Sequence, residues 1–495
     1  MKIKYLAGLL IMGASALSSC SDFTEIDQKG MNLLTTTDQL EMLLNQEYSF
    51  DVANINRLCG SVIYYPGNVS TTLNNPVKTT TQIILAYDEA GHAREQVDLT
   101  SSDSGYASCY EYIGTVANPI LSRVEAAEGT DEKKAALKAE ALTVRAYFHW
   151  LAAVKFAKAY NPSTAETEKC IAYLLETQDI KQPTEQLTQK EVYTNIIADL
   201  DAAIALDALP VEAVNRMRFS KAAPYAIKAM VLMYMQQPSE AAKAAQQALA
   251  ISDKISNLND FMMTTTSMMG QPVKALEIPK LALNQDYFTD SSIEFFSWLT
   301  PHYYEMFEDK NLVKDWFETY HTMMWMGSWD ATSPMVAGSL QGMFGVTEGS
   351  MSYGVMGSGR IGTINVSTQH MYLILAENAI DNGQISDAMG YLDKIRVGRF
   401  FPEDYAPLQG AVTTKAEAIR MLKKVQHGEN VFGVHNFINL KRWNELADYK
   451  TDYSWTFEGK TYTLKAGSDM WVFPFPKNLM NKNANFQHNY ETVAM

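Results

Sequence analysis

Apolar residues recur at helical spacing through most of this chain, and that periodicity constrains the fold more than any other feature. Over residues 131–160 they follow one another at alternating steps of four and three, which places them on one face of a helix. This first stripe consists of Leu137, Ala141, Val144, Phe148 and Leu151. A second stripe consists of Tyr193, Ile196, Ile197, Leu200 and Ile204. The sequence therefore predicts a mainly α fold.

Two segments far apart in the chain share one spacing of small residues. The two copies are Tyr225, Ala229 and Ala241, and Tyr372, Ala376 and Ala388. Antiparallel helices that cross closely need small side chains at the crossing point, and this spacing is similar to that of tetratricopeptide repeats. We therefore predict irregular tetratricopeptide-like helical hairpins. Residues 381–383 are interpreted as the turn of the second hairpin rather than a calcium loop, because no Glu closes such a loop.

The segment between these hairpins, roughly 255–368, has a different composition. It holds half of the eight Trp residues, and its glycines cluster over residues 338–362. Long insertions on a rigid scaffold are where binding residues concentrate. No low-complexity linker divides the chain, so we predict one domain over residues 20–495. Within it, 255–368 forms a loop-rich inserted binding region and 369–495 a C-terminal region.

The N-terminus has the pattern of a secretory signal. Lys2 and Lys4 precede a short, mostly apolar run over residues 5–17, which is too short to span a membrane. The run ends in Leu-Ser-Ser-Cys at residues 17–20, which resembles a bacterial lipobox. We expect residues 1–19 to be removed and Cys20 to carry the acyl chains that anchor the protein. The alternative is an ordinary secretory signal with an incidental Cys.

Charge restricts the partners. The chain has 41 basic and 56 acidic side chains, a net charge of -15, so its surface repels phosphate backbones and nucleic acid is not expected to bind. Charge alone would not hold it to an anionic membrane, which leaves the acyl anchor. Ser21 and Asp22 after the lipobox resemble the export tag of Bacteroidetes surface lipoproteins. We therefore expect an outer-membrane protein that faces the cell exterior.

The sequence lacks the motifs of the common catalytic and metal sites. It contains no spacing of His and Cys typical of zinc, no glycine-rich phosphate loop and no nucleophile elbow. Acidic residues are abundant in the inserted region, but nothing singles out the carboxylate pair that a glycosidase needs. We predict no catalytic residue, metal or cofactor. Cys59, Cys109 and Cys170 are expected to be small buried residues.

Aromatic residues are the better candidates for a binding site. A flat ring can cover the apolar face of a sugar while polar side chains bond its hydroxyl groups. The candidates are Trp298, Tyr303, Tyr304, Trp325 and Trp329 in the inserted region, with Tyr64 and Tyr65 in an early loop. The alternative for each ring is ordinary core packing.

Several motifs, taken in order, follow the pattern of one family. The first is the lipobox at Cys20. The others are AEALTVRAYF (139–148), YLILAE (372–377) with LDKIR (392–396), NLKRW (439–443), and MWVFPFP (470–476) with residues 483–490. Together they resemble the motifs of the SusD/RagB-like outer-membrane lipoproteins, and the resemblance spans nearly the whole chain. Asn439 stands where the family usually has Asp, and the stretch 426–430 departs from the family pattern.

The resemblance implies a fold and a function. Members of the family carry tetratricopeptide-like hairpins, bind oligosaccharides or in some branches peptides, and cap a SusC-like TonB-dependent transporter. They are not enzymes. We therefore expect a surface lipoprotein that binds oligosaccharide and delivers it to such a transporter. The alternatives are a peptide-binding member, a surface glycosidase, and a transporter lid with negligible ligand affinity.

Overall fold

We describe the fold from a computed structural model of the chain. The described residues are 34–62, 66–93, 104–178, 182–266, 272–276, 285–290, 297–299, 303, 305–314, 353–355, 362–431, 433–457 and 459–492. Cys20 and the predicted signal lie outside them. Among the described helices, none is long and apolar enough to cross a membrane.

Helices dominate the part of the chain that precedes the inserted region. They are α1 Thr37–Leu44, α2 Ala53–Leu58, α3 Pro66–Leu73, α4 Thr80–Leu85, α5 Glu89–Ala93, α6 Ser104–Tyr112, α7 Asn118–Arg123, α8 Asp131–Phe156, α9 Gln189–Leu206, α10 Ala222–Tyr234 and α11 Pro238–Ile251. A short π-helical turn, Ile113–Ala117, joins α6 to α7. Strand β1, Ser61–Val62, follows α2.

The described part of the inserted region contains several short strands, and long helices follow this region. The strands are β2 Met262–Thr266, β3 Pro272–Leu276, β4 Asp286–Phe288, β5 Ser297–Leu299, β6 Tyr353–Val355 and β7 Val366–Ser367. The later helices are α12 Thr368–Asp381, α13 Ile385–Arg396, α14 Lys415–Glu429, α15 Val434–Trp443 and α16 Lys477–Lys482. A hairpin of β8 Tyr453–Phe457 and β9 Lys460–Leu464 precedes α16.

Helix α8 is the centre of the fold. Its N-cap, Thr130, accepts a hydrogen bond from the backbone of Lys133, and every residue over 139–156 is buried. The sequence showed one apolar stripe, but neighbours surround this helix, so its other faces are covered too. It ends at Phe156 rather than near residue 160. There the Nζ atom of Lys441 donates to the carbonyls of Val154 and Ala157, at 2.7 and 2.6 Å.

The mainly α prediction and the helical hairpins are confirmed. Helices α10 and α11 form one hairpin and α12 and α13 another, and α11 packs directly on α12. The paired small residues Ala229, Ala241, Ala376 and Ala388 have no exposed surface. Asn382 caps α12 and Gly383 has a φ of +74°, which completes the predicted turn. The two copies are therefore neighbours in space although the inserted region separates them in sequence.

Buried arginine–carboxylate pairs connect the helices. Each pair joins side chains that are almost fully enclosed, so each charge depends on its partner rather than on water. The pairs are Arg145–Asp199, Arg218–Glu140, Arg396–Glu308, Arg399–Glu429 and Arg442–Glu377. Cys59, Cys109 and Cys170 are buried, as expected. The scaffold is thus held by apolar packing and by paired internal charges.

Candidate functional site

An early and a late segment of the inserted region meet at the helical scaffold. Strand β4 pairs antiparallel with β7, with Asp286 opposite Ser367 and Phe288 opposite Val366. The ring of Phe288 is stacked on that of Phe219, with centroids 4.1 Å apart, so this pairing is anchored in the helical core. The chain between β4 and β7 is therefore an excursion whose two ends are held together.

Three distant parts of the chain meet in one small sheet, of order β1–β5–β6. Val62 is paired with Trp298, and Trp298 is paired in turn with Gly354. Ser61 is opposite Leu299, which is opposite Tyr353. The sheet thus attaches the inserted region to the loop that follows α2.

This sheet contains one candidate and ends close in sequence to two others. Trp298 lies in β5, and Tyr64 and Tyr65 come two and three positions after Val62, the last residue of β1. These two tyrosines lie outside the described residues, as do the candidates Tyr304, Trp325 and Trp329. Since strands of a sheet lie about 4.8 Å apart, the chain enters the early loop beside the strand of Trp298.

Tyr303 is a core residue in this structure. Only 1% of its surface is exposed, and its ring lies against those of Phe307 and His427, at centroid distances of 6.2 and 3.9 Å. Its hydroxyl accepts a hydrogen bond from the Nδ2 atom of Asn436, and burial raises its pKa. The packing alternative therefore describes this ring, which offers no open face to a ligand.

The segment 305–314 is fixed to the helices by a buried charge pair. The Nε atom of Arg396, at the end of α13, donates to both carboxylate oxygens of Glu308, at 2.9 and 3.2 Å. Burial raises the pKa of Glu308, and Arg396 offsets part of that effect. The Nε2 atom of His427 lies 2.9 Å from the carbonyl oxygen of Tyr303. These contacts hold the residues that lead into the aromatic-rich segment 315–352.

A carboxylate that sequence reasoning did not single out closes the base of the inserted region. Asp290 is 3% exposed and accepts hydrogen bonds from the backbone and the hydroxyl of Thr363. Its partner lies 73 residues away, so no local pattern announces the contact. Within the described part of the chain, no group of three or more His, Cys, Asp or Glu side chains is arranged to hold a metal ion.

Comparison with known proteins finds a family match over part of the chain. Residues 40–233 match the model of a SusD-like family described as starch-binding and associating with the outer membrane. No curated protein sequence matches the chain. The SusD-like fold extends well beyond the matched residues, as solved structures show.

Several SusD superfamily structures share this fold. One from Bacteroides thetaiotaomicron is 14% identical, with 92% of this chain and 100% of that chain covered and a TM-score of 0.62. Another from Bacteroides fragilis is also 14% identical, with the same coverage and a TM-score of 0.59. A putative sugar binding protein from Bacteroides vulgatus is 16% identical, covering 93% of this chain and 99% of that chain, with a TM-score of 0.55.

The motifs of this chain that resemble those of the family lie on its internal charge pairs. Glu377 binds the guanidinium of Arg442 through both oxygens, at 2.6 and 2.7 Å, and also accepts from the indole N–H of Trp443. Asn439 still supplies an acceptor to Arg442, at 3.1 Å, where the family usually has Asp. These motif residues therefore belong to the scaffold rather than to binding loops.

Proposed function

We propose that this SusD-like protein is a cell-surface lipoprotein that binds oligosaccharide and delivers it to a SusC-like TonB-dependent transporter. The observation that supports the proposal is the β1–β5–β6 sheet, in which Trp298 is paired with Val62, two residues before Tyr64 in the sequence. Rings gathered from several loops suit a glycan, because each ring covers the apolar face of one sugar unit. The sugar-binding description of the Bacteroides vulgatus relative agrees with this proposal.

In the sheet, Trp298 is paired with Val62 on β1 and with Gly354, which has no side chain, on β6. We propose that Trp298, with Tyr64, Tyr65, Tyr304, Trp325 and Trp329, supplies the stacking surface.

Binding rather than hydrolysis is the proposed activity, because the enclosed carboxylates of the inserted region already have internal partners. Asp290 is bonded to Thr363, and Glu308 is paired with Arg396; the two carboxylates are 3% and 7% exposed. A glycosidase needs two carboxyl groups that reach the scissile bond from either side. Neither of these side chains is available for that role.

Isothermal titration calorimetry against a panel of glycans and peptides tests the ligand class. We expect binding to at least one glycan, and about tenfold weaker binding after Trp298→Ala, with a smaller loss after Trp298→Phe, which keeps a ring. Trp325→Ala and Trp329→Ala test the other rings. Tyr391→Ala, on α13 and partly buried against the core, is the matched control and should bind as the wild type does.

The outcomes separate the alternatives. Peptide binding without glycan binding would favour a peptide receptor, and release of reducing ends by the purified protein would favour a glycosidase. Unchanged affinity in all three Trp→Ala variants would contradict our placement of the site. Absence of binding to either class would favour a lid that has no ligand of its own.

Anchoring is tested separately. Several acyl chains on Cys20 should hold the protein at the membrane, since each buried CH₂ group contributes about 0.8 kcal/mol and a single chain is marginal. Cys20→Ser should therefore release the chain into the soluble fraction, while Cys170→Ser, at a buried thiol, should not. Protease treatment of intact cells checks surface exposure, and mild detergent extraction checks co-purification with a TonB-dependent transporter.

A further inference from the structure

Two cross-links join the outgoing and returning legs of the inserted region. The outer cross-link is the pairing of β5 with β6, which carries Trp298. The inner one, which we call the stem, consists of the β4–β7 pairing and the contacts of Asp290. Only the short legs 291–296 and 356–362 separate the two in sequence. A leg of that length reaches at most about 25 Å, so the inner cross-link restricts where the outer one can lie.

Asp290 contributes three side-chain hydrogen bonds to the inner cross-link. Its Oδ1 atom accepts from the backbone N–H groups of Thr363 and Ile364, at 2.8 and 3.2 Å. Its Oδ2 atom accepts from the hydroxyl of Thr363, at 2.7 Å. A carboxylate with backbone donors on one oxygen and a hydroxyl on the other has little freedom to rotate. Charge-assisted bonds of this kind are also about twice as strong as neutral ones.

The segment that donates these bonds, residues 363–365, is itself fixed to the helical scaffold. The hydroxyl of Tyr147, on α8, donates to the carbonyl of Ile364, at 2.6 Å. The Nε2 atom of His435, on α15, lies 2.6 Å from the carbonyl of Asn365, and the N–H of Val434 donates to the carbonyl of Thr363, at 2.8 Å. Residues 363–365 are thus fixed to the helices, and the hydrogen bonds of Asp290 connect the outgoing leg of the inserted region to them.

We propose that Asp290 is a positioning residue for the ligand site: it orients β5 and β6 through the stem and touches no ligand. This inference rests on the proposed function, because it concerns the aromatic site on the same sheet. A loop already held in its binding geometry loses less conformational entropy when the ligand arrives. Asp290 therefore raises affinity by reducing the ordering that binding requires.

The test combines glycan calorimetry with amide hydrogen exchange of the full chain. Asp290→Ala should weaken binding about three- to tenfold and speed exchange in the peptides that contain 297–299 and 353–355. Thr363→Val removes only the hydroxyl bond and should show the same changes at smaller size. Asp290→Asn keeps the one oxygen that accepts from both backbone N–H groups, and its Nδ2 group can donate to the Thr363 hydroxyl oxygen, so it should largely restore both properties.

Gln186→Ala is the matched control for a general loss of stability. Gln186 is 3% exposed and its Nε2 atom bonds the Cys170 carbonyl and Asn489, remote from the stem in sequence. The Gln186→Ala variant should have a lower melting temperature, with unchanged glycan affinity and unchanged hydrogen exchange in β5 and β6. Equal affinity losses in the control and in Asp290→Ala, or unchanged exchange in β5 and β6 in both stem variants, would overturn the proposal.

The exchange measurement needs no ligand, which separates the two hypotheses. If the wild type binds no glycan but Asp290→Ala speeds exchange in β5 and β6, the proposed function fails while the orienting role of the stem stands. If glycans bind and affinity is the same in Asp290→Ala, Thr363→Val and the wild type, the proposed function stands and the positioning role fails.

Discussion

The hairpin of α12 and α13 and the sheet of β1, β5 and β6 are held together in different ways. In the hairpin, backbone hydrogen bonds join residues a few positions apart, and buried faces such as that of Ala376 and Ala388 pack on neighbouring helices. In the sheet, strands of two or three residues pair positions as distant as Val62 and Trp298. Changes in distant loops should leave the local hydrogen bonds of the hairpin intact. The sheet, in contrast, forms only when all three of its strands are correctly placed.

That difference suits a receptor whose scaffold stays fixed while its binding surface varies. Internal charge pairs such as Glu377–Arg442 tie helices to one another and leave the inserted region untouched. The inserted region is joined to the scaffold at a few points, among them Glu308–Arg396 and the Asp290 stem. New loops can therefore be accommodated between these points without rebuilding the core.

Acid should produce the largest effect, and it should act on the scaffold. Burial lowers the pKa of His149 to about 3 and the pKa of His92 and of His370 to about 4. In the unfolded chain these histidines take up protons near pH 6.5. Their contribution to the free energy of unfolding is therefore fully present above that pH and falls as the pH decreases towards 4. Each of these histidines should lower the free energy of unfolding by about 2 kcal/mol at pH 5.

Urea unfolding at pH 7.5 and pH 5.0 measures this loss. His370→Gln should reduce the pH dependence, because Gln can keep an amide near Asn430 without taking up a proton. Equal stability at the two pH values would show that these histidines titrate normally. The scaffold would then not be the acid-sensitive part of the molecule.

Removing one half of a scaffold ion pair should have the next largest effect. Glu377→Ala leaves the guanidinium of Arg442 buried without its carboxylate, and also removes the acceptor of the Trp443 indole. We expect a loss of about 3–5 kcal/mol in the free energy of unfolding, because an unpaired buried charge is strongly destabilising. Urea denaturation measures it, and Glu377→Gln should lose less. A loss below 1 kcal/mol would mean that water reaches this pair.

The helical part of the fold could be predicted from the sequence because its signals are local. The stripe at Leu137 and Phe148 and the spacing of Ala376 and Ala388 each lie within one or two helices. The end of α8 could not be predicted in this way. It depends on Lys441, far along the chain, which takes the terminal carbonyls.

The candidate site was less predictable, because its geometry depends on pairings across long stretches of sequence. Aromatic composition pointed to Trp298, but nothing in the sequence paired it with Val62 and Gly354. The same composition selected Tyr303, which packs against His427 in the core. A ring's chemistry suits stacking and burial equally, and only tertiary contacts decide between them. Asp290 carried no signal because its partner, Thr363, is remote.

Glu308→Gln should have a smaller effect than Glu377→Ala and should be confined to the inserted region. Burial raises the pKa of Glu308 despite Arg396, so its negative charge gains little from folding, and a neutral amide of the same shape is a mild replacement. Arg396 also keeps its bonds to Asp393 and to the carbonyl of Ala406. We expect a loss of about 1 kcal/mol in unfolding free energy and faster hydrogen exchange over 305–314. Faster exchange in α12 as well would show that the two regions unfold together.

The smallest effect should come from an exposed ion pair on the scaffold itself. Lys243 and Glu240 lie one turn apart on α11, with the Nζ atom of Lys243 2.7 Å from the Oε1 atom of Glu240. Their side chains are 68% and 56% exposed. Water and salt screen such a pair, so Lys243→Ala should change the free energy of unfolding by less than about 0.5 kcal/mol. The same urea experiment applies. A loss as large as that of Glu308→Gln would mean that surface charges, and not enclosed pairs, distinguish the scaffold from the inserted region.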